Sequence, residues 1–337
     1  MQIAVLGCGA IGGLFLGHLS KELEDVLGIV RSYQVDSLEN EGLVIKDSNK
    51  EEKINVKIDT KLTKQVDLAI VSTKINDLEE IIKENIDYLK NAVVISTQNG
   101  LRAESILVKF FPAEKIITTI VMFGATFYSP NKVVSNFSGD LIMGNIFDKK
   151  VAKEKKIRKV LKNSFNLKLS ENIKGAKYLK LFINLNNCIP AILGKSMQEA
   201  FRNPEIAKLA IKLNKEAYQL ISQAGISLES LPSYPKERIE GLVSMPLEDA
   251  ASLFSKIMIN LSKEPLYGSL LQSIKRGKPS EIDYINGEVV ALAKNNNQQA
   301  PLNEKMVSLV HRVEKEGFLS ENELLLEIKG AENEKQK

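Results

Sequence analysis

Three groups of residues in this chain have the types and spacing to do chemistry. The first stands at the extreme N-terminus, where the apolar run Ile3-Ala4-Val5-Leu6 leads straight into Gly7-Cys8-Gly9-Ala10-Ile11-Gly12. The glycines fall at G-x-G-x-x-G spacing, and Leu14, Phe15, Leu16 and Leu19 continue at helical spacing. In that strand–turn–helix context, Gly7 permits a tight turn, Gly9 lets a pyrophosphate reach the backbone, and Gly12 lets the helix pack against the strand. The N–H groups and positive dipole end of the new helix then face phosphate. The next strand, Val26 to Val30, ends at Arg31-Ser32, 19 residues beyond Gly12. An acid at this point would bind the ribose 2′-hydroxyl of NAD; an arginine suits the 2′-phosphate of NADP. The predicted cofactor is therefore NADP.

The second group is Lys180, Asn184 and Asn187, at i, i+4 and i+7 on an otherwise apolar helix with Leu179, Leu181, Phe182, Ile183, Leu185 and Ile189. That spacing puts them on one face, with Cys188 at its edge and Asn186 off it. A polar stripe on a buried helix needs partners or a wet cleft. A lysine there can protonate a carbonyl oxygen as hydride reaches the carbon, and partial burial would bring its pKa towards working pH. The asparagines could hold substrate oxygens or orient the lysine. The third group is Ser280-Glu281-Ile282-Asp283-Tyr284-Ile285-Asn286-Gly287, preceded by Tyr267-Gly268-Ser269. Ser280 reads as an N-cap with Asp283 completing a capping box, and Ile282, Ile285 and Val289 as the buried face. Glu281 is left at the first helical position, free to point elsewhere.

The elements that must position these groups change character along the chain. Short apolar strands at 3–6, 26–30, 54–58, 67–72, 92–96 and 116–122 alternate with helical segments, and 133–136 with 140–143 read as a hairpin. Alternation implies right-handed crossovers and a mostly parallel sheet. Ligands then bind at the carboxyl ends of the strands, where Lys74 and Asn99 fall beside the glycine loop. From about Ser170 the pattern is almost wholly helical, at about 174–192, 197–202, 204–224, 247–262, 266–276, 280–296, 303–316 and 321–328. The expectation is an α/β Rossmann-type domain over 1–170, an all-α substrate and catalytic domain over 171–328 with a cleft between them, and a disordered tail over 329–337.

Bulk composition narrows the remaining classes. The 337 residues suffice for two cores, with 44% hydrophobic and 26% charged residues and a net charge of +4 from 46 basic and 42 acidic side chains. The basic excess gathers in Lys149–Lys162, an amphipathic helix whose lysines read as a solvated face; no aromatic residues interleave with them as stacking on nucleic acid would require. Two cysteines, Cys8 and Cys188, suggest neither a disulfide framework nor zinc. The two histidines, His18 and His311, suggest no metal site and no histidine-centred catalysis. No stretch approaches the ~20 apolar residues of a membrane span, and the first apolar run breaks at Gly7, unlike a signal peptide. A cytoplasmic location is expected, with no metal, nucleic acid or membrane partner and a possible homodimer.

With these residues the chain resembles the ketopantoate reductase family (2-dehydropantoate 2-reductases) from Met1 to about Glu314. The resemblance rests on the glycine loop, Ser72-Thr73-Lys74, Gln98-Asn99-Gly100, the Lys180…Asn184 helix and the motif from Ser280 to Gly287. It implies NADPH-dependent reduction of a 2-oxo acid to a 2-hydroxy acid in pantothenate synthesis. Lys180 would be the general acid, and Glu281 would bind the substrate hydroxyl and position the lysine. Arg31 and Lys74 would contact the 2′-phosphate, with Asn99 and Ala125 also at the cofactor. Asn99 and Asn184 would line the substrate cleft, and Ser269 would meet the carboxylate. A second family asparagine, eight positions past the lysine, is Cys188 here, with Asn187 as a substitute one residue earlier. Glu264-Pro265-Leu266 lacks another common asparagine, and Ser273 stands where an aspartate is usual. All three departures lie on the substrate side. They leave open a reductase for a different branched 2-oxo acid, and beyond that an NADP-binding regulator without catalysis.

Overall fold

The computed structural model describes residues 1–48 and 50–334 and divides into two compact units, Met1–Lys174 and Gly175–Lys337. The division falls four residues past the expected position, just inside a helix.

The N-terminal unit runs β1 (Ile3–Leu6), α1 (Ala10–Glu22), β2 (Val26–Ile29), α2 (Ser32–Glu41), β3 (Leu43–Lys46), β4 (Glu51–Ile54), β5 (Lys57–Asp59), β6 (Leu68–Val71), α3 (Ile75–Leu89), β7 (Val93–Ser96), α4 (Ala103–Leu107), β8 (Ile116–Val121), β9 (Gly124–Ser129), β10 (Lys132–Phe137), β11 (Asp140–Gly144), α5 (Glu154–Ser164) and β12 (Asn166–Leu169). Eight strands form one sheet in the order β12-β11-β8-β7-β6-β1-β2-β5, parallel throughout except for β11 against β8. β1, β6 and β7 are buried at every position, as central parallel strands covered on both faces must be. A second sheet, β4-β3-β10-β9, mixes parallel and antiparallel pairs. α1 packs against β1 and β2 of one sheet and β3, β4, β9 and β10 of the other. The helix that offers its N-terminus to the glycine loop is thereby held by both sheets.

Three expectations bear on these elements. The strand read over 54–58 is two strands, β4 and β5, in different sheets. The 133–136/140–143 hairpin does not form: β10 pairs with β9 and β3, whereas β11 pairs with β8 and β12. Adjacent apolar runs look alike in sequence whichever partner they find. The lysines of α5 are exposed while Ile157 and Leu161 are buried, as expected of a solvated face.

The C-terminal unit is helical: α6 (Ile173–Leu185, beginning at the end of the first unit), α7 (Cys188–Leu193), α8 (Met197–Ala200), α9 (Pro204–Gln223), α10 (Glu237–Ser244), α11 (Leu247–Ile259), α12 (Ser269–Lys275), α13 (Asn286–Asn295), α14 (Pro301–Glu316) and α15 (Glu321–Glu334). α9 is the central element, packed against α10, α11, α13, α14 and α15. Asn203 caps its start by accepting the Glu205 N–H at 2.9 Å, and Pro204 occupies the first turn, where it forfeits no intrahelical bond. The helix read over 174–192 breaks at Asn186-Asn187. α15 runs on to Glu334, so the tail expected from 329 is mostly helix; its last part, 335–337, lies outside the described residues.

Candidate active site

The candidate cofactor site of the N-terminal unit is built from backbone. Gly7 has φ +87°, and a Cβ there would lie 2.5 Å from Thr73 Cγ2 and 2.8 Å from the Thr73 nitrogen. A Cβ on Gly12 would come within 2.2 Å of the Gly7 carbonyl oxygen. Neither position tolerates a side chain. Gly9 is different: nothing lies within 4 Å of its would-be Cβ. The Gly9 carbonyl accepts the Gly13 N–H at 2.8 Å to open α1, whose first turn holds no acid. The first N–H groups of a helix have no acceptor within it, so the start of α1 leaves those of Ala10, Ile11 and Gly12 without an intrahelical partner, next in sequence to the open position at Gly9. That is the space and the donor set a pyrophosphate needs. Cys8 contributes backbone only: its thiol is buried, 3.5 Å from the Val5 carbonyl, and burial pushes its pKa up to about 12. Ile11 packs against the core.

Strand register aligns the other residues with this loop. Ile29, Leu6, Val71, Ser96 and Thr118 are successive neighbours across the sheet. The segments after β2, β1, β6 and β7 therefore leave one edge side by side, carrying Arg31, the glycine loop, Lys74 and Asn99. Arg31 caps α2, its backbone N–H donating to Gln34 Oε1 at 3.2 Å. Buried Gln34 in turn donates to the Cys8 carbonyl at 3.2 Å, tying Arg31 to the glycine loop. The Arg31 guanidinium is exposed and pairs with Asp77 of α3 at 3.0 Å. Lys74 stands at the N-cap of α3. Ala125 lies on β9, paired with Ser135 and partly buried against the core.

Gln98, quoted within a motif but given no role, holds this edge together. Its side chain donates to the Val71 and Thr73 carbonyls at 3.0 Å each and accepts the Thr97 N–H at 3.1 Å. Through Thr73 it also backs the Gly7 turn. Such a role leaves no local signal, because the acceptors lie 25 and 27 residues away.

The candidate residues of the C-terminal unit, taken by itself, are side chains. Lys180 and Asn184 sit on α6, both half-buried. Burial lowers the Lys180 ammonium from its ordinary range to about 8. Tyr178, on the same helix, is pushed up to about 12 by burial and then by the Glu288 carboxylate of α13. Where α6 ends, Asn186 is buried and donates to Asn214 Oδ1 of α9 at 3.3 Å. Asn187 begins the turn into α7, and its amide lies close to Gly268, immediately before Ser269. Ser269 is exposed at the first position of α12.

Cys188 is a correction. It is fully buried, donates to the Leu185 carbonyl at 3.1 Å and accepts from Asn286 Nδ2 at 3.6 Å, and burial raises its thiol to about 12. It belongs to the core rather than to the half-buried face that carries Lys180 and Asn184. The break after Leu185 gives the physical reason: the 3.6-residue phase carrying Lys180 and Asn184 does not continue through Asn187 and Cys188.

Glu281 is half-buried at the start of a 3-10 turn, Ile282–Tyr284, with α13 beginning only at Asn286. The capping box expected from Ser280 and Asp283 is absent; neither caps this turn. Asp283 Oδ1 instead lies 3.1 Å from His311 Nε2, His311 Nδ1 lies 3.2 Å from Glu314, and Glu314 accepts the Ser280 N–H at 2.8 Å. The segment bearing Glu281 is thus held on both sides by α14. Buried Ile282, Ile285 and Val289 anchor it as expected. Asn286 links it to Cys188 and also donates to Asn303 Oδ1 at 3.0 Å. The contacts of Asn286 and His311 leave no local sequence signal, because their partners Cys188 and Asp283 lie 98 and 28 residues away.

Among the described residues no cluster of three or more His, Cys, Asp or Glu could hold a metal ion, and no helix is long and apolar enough to cross a membrane.

Residues 3–147 match the family model described as ketopantoate reductase PanE/ApbA, and residues 172–314 match its C-terminal counterpart. The 2-dehydropantoate 2-reductase of Pyrococcus abyssi is 31% identical over 312 residues, covering 90% of this chain and 94% of its own. That of Pyrococcus horikoshii is 30% identical over 328 residues, covering 94% and 99%. Among solved structures, D-mandelate dehydrogenase in ternary complex with NADH and anilino(oxo)acetate superposes with a TM-score of 0.80 at 27% identity, over 93% of this chain and 98% of that one. A PanE/ApbA family ketopantoate reductase from Ralstonia eutropha shares the fold, with a TM-score of 0.79 at 21% identity over 94% and 99%. With both halves matched and full-length relatives at this identity, the chain is an oxidoreductase belonging to the ketopantoate reductase PanE/ApbA family.

Proposed function

We propose that this enzyme reduces 2-dehydropantoate to pantoate with NADPH, a step of pantothenate and coenzyme A synthesis. The observation that carries the reading is Lys180, a half-buried ammonium whose pKa burial lowers to about 8. A general acid works best with a pKa near the operating pH.

The glycine loop fits a dinucleotide: the open space at Gly9 takes the pyrophosphate, and the N–H groups of Ala10, Ile11 and Gly12 bind it. Arg31 and Lys74 receive the 2′-phosphate, with Asn99 at the same sheet edge. When bound, the nicotinamide supplies a hydride to the ketone carbon of the substrate. Lys180 donates its proton to the ketone oxygen, so that no alkoxide has to build up. Glu281 accepts a hydrogen bond from the resulting hydroxyl and orients the lysine. Asn184 and Asn187 hold substrate oxygens, and Ser269 meets the carboxylate. The protein functions in the cytoplasm as a homodimer in this reading.

A second reading is favoured by one observation. Cys188 stands where the resemblance leads one to expect a substrate asparagine, and it is buried. The likeness at 27% identity to D-mandelate dehydrogenase, solved with anilino(oxo)acetate, points to a different branched 2-oxo acid handled by the same lysine. NADPH absorbance followed with purified protein, 2-dehydropantoate and a panel of branched, linear and aryl 2-oxo acids distinguishes the two. Preference for 2-dehydropantoate upholds the first reading. Preference for another acid keeps the chemistry and moves the enzyme out of pantothenate synthesis.

A further inference from the structure

The end of β2 lacks the acid that a ribose 2′-hydroxyl would require, but the folded chain supplies one from elsewhere. Asp77, in the first turn of α3, lies 3.0 Å from the Arg31 guanidinium. Arg31 leaves the sheet after β2 and Asp77 follows β6, and these two strands flank β1. The ion pair therefore joins the segments on either side of the glycine loop. Both partners are accessible, with side chains 66% and 43% exposed. The backbone of Arg31 is meanwhile fixed to the loop through buried Gln34, bonded to the Cys8 carbonyl.

We propose that Asp77 is a specificity-determining residue that opposes binding of a 2′-phosphate and supports binding of a 2′-hydroxyl. The inference rests on the reading of Arg31 as the 2′-phosphate contact. A phosphomonoester carries about −1.5 to −2 charges near pH 7. To bind one, Arg31 must exchange Asp77 for phosphate, leaving a carboxylate next to the new anion. A cofactor without that phosphate leaves the pair intact and offers a hydroxyl whose hydrogen bond the Asp77 carboxylate can accept. The chain therefore combines an NADP-type arginine with an NAD-type acid on different elements, and its preference for NADPH over NADH is narrower than Arg31 alone would give. An exposed ion pair is weak, so its removal perturbs the fold little and its effect is read in cofactor choice.

The test is calorimetric titration of NADPH and NADH into wild type, Asp77→Asn, Arg31→Ala and the double variant, with cofactor-free melting as the control. Asp77→Asn is expected to tighten NADPH several-fold and weaken NADH, and the NADPH gain is expected to vanish in the Arg31→Ala background. If Asp77→Asn leaves the ratio of the two dissociation constants unchanged while Arg31→Ala lowers the preference for NADPH, the role of Asp77 is refuted and the reading of Arg31 stands. If Arg31→Ala also leaves the ratio unchanged, the 2′-phosphate reading fails and the inference falls with it.

Discussion

In the proposed function the glycine loop and the Lys180 helix serve one reaction, and they are built in opposite ways. In that reading the loop would work through backbone N–H groups and the absence of side chains. Six consecutive residues and the strand before them specify it, and its demands are steric. The Lys180 side would work through side chains whose properties come from distant segments. Burial sets the lysine's pKa, and the Glu281 turn is tied to α7 through Asn286 and to α14 through His311 and Glu314. A backbone site can be specified locally. A side-chain site on helices depends on contacts between distant parts of the chain, such as Asn286 to Cys188 at a separation of 98.

The largest effect that could break this comparison is at Lys180. Lys180→Ala is expected to bind cofactor normally and to lose turnover by ~10²–10⁴-fold, the usual contribution of a general acid. The pH profile sharpens the point. Reduction needs the ammonium form, so kcat is expected to be level below about 8 and to fall as pH rises through that value, by about tenfold per unit once the proton is lost. Single-turnover NADPH oxidation from pH 6 to 10 measures it. A level profile across pH 8, or an unimpaired Lys180→Ala, would remove the lysine from the chemistry.

A smaller effect is expected in the loop, where Gly9 and Gly12 should respond in opposite ways. At Gly9 a methyl group meets nothing within 4 Å, so Gly9→Ala should melt close to wild type while cofactor affinity falls tenfold or more, because the methyl fills the phosphate's space. At Gly12 the same methyl would lie 2.2 Å from the Gly7 carbonyl. Overpacking of that kind typically costs about 1–3 kcal/mol, so Gly12→Ala should lose stability together with affinity. Thermal melts with and without cofactor separate the two. If both variants lose stability equally, Gly9 is not an open cradle.

The same contrast explains what could be read from the sequence. The parallel sheet, the glycine turn between β1 and α1, the position of Arg31 after β2 and the change to helices near residue 170 were legible because each depends on short-range pattern: buried apolar runs, turn residues and periodicity. The eight-strand order was not, since β10 and β11 carry similar apolar runs and join different sheets. In the helical unit, the placing of Lys180 and Asn184 on one half-buried helix, α6, was legible as a polar stripe. The break at Asn186-Asn187 was not, because Asn186 leaves the helical phase to meet Asn214, 28 residues on. Ser280 and Asp283 had the spacing of a capping box, and their local preference lost to tertiary partners on α14. The Arg31–Asp77 ion pair was hidden for the same reason: its partners follow different strands, β2 and β6, and lie 46 residues apart.

His311 gives the smallest expected effect and the closest probe of how side-chain sites are held. Burial opposes its charge, but hydrogen bonds and attraction from Asp283 and Glu314 outweigh this and raise its pKa above the ordinary value. Burial likewise works to raise the Glu314 carboxyl, yet bonds from Ser280 and His311 leave it lowered. A histidine whose folded pKa is raised stabilises the fold fully below its unfolded pKa, about 6.5, and loses that contribution as pH rises through the folded value. With the His311 side chain 42% exposed, solvent screens much of this interaction, so the melting shift should be modest. His311→Ala should therefore melt below wild type at pH 6, with the gap narrowing towards pH 9. It should also raise KM more than the Lys180→Ala substitution does, because the turn carrying Glu281 loses its clamp while the proton donor remains. A melting difference independent of pH would mean that His311 contributes packing alone, and that the Glu281 turn is held by its buried isoleucines rather than by charge.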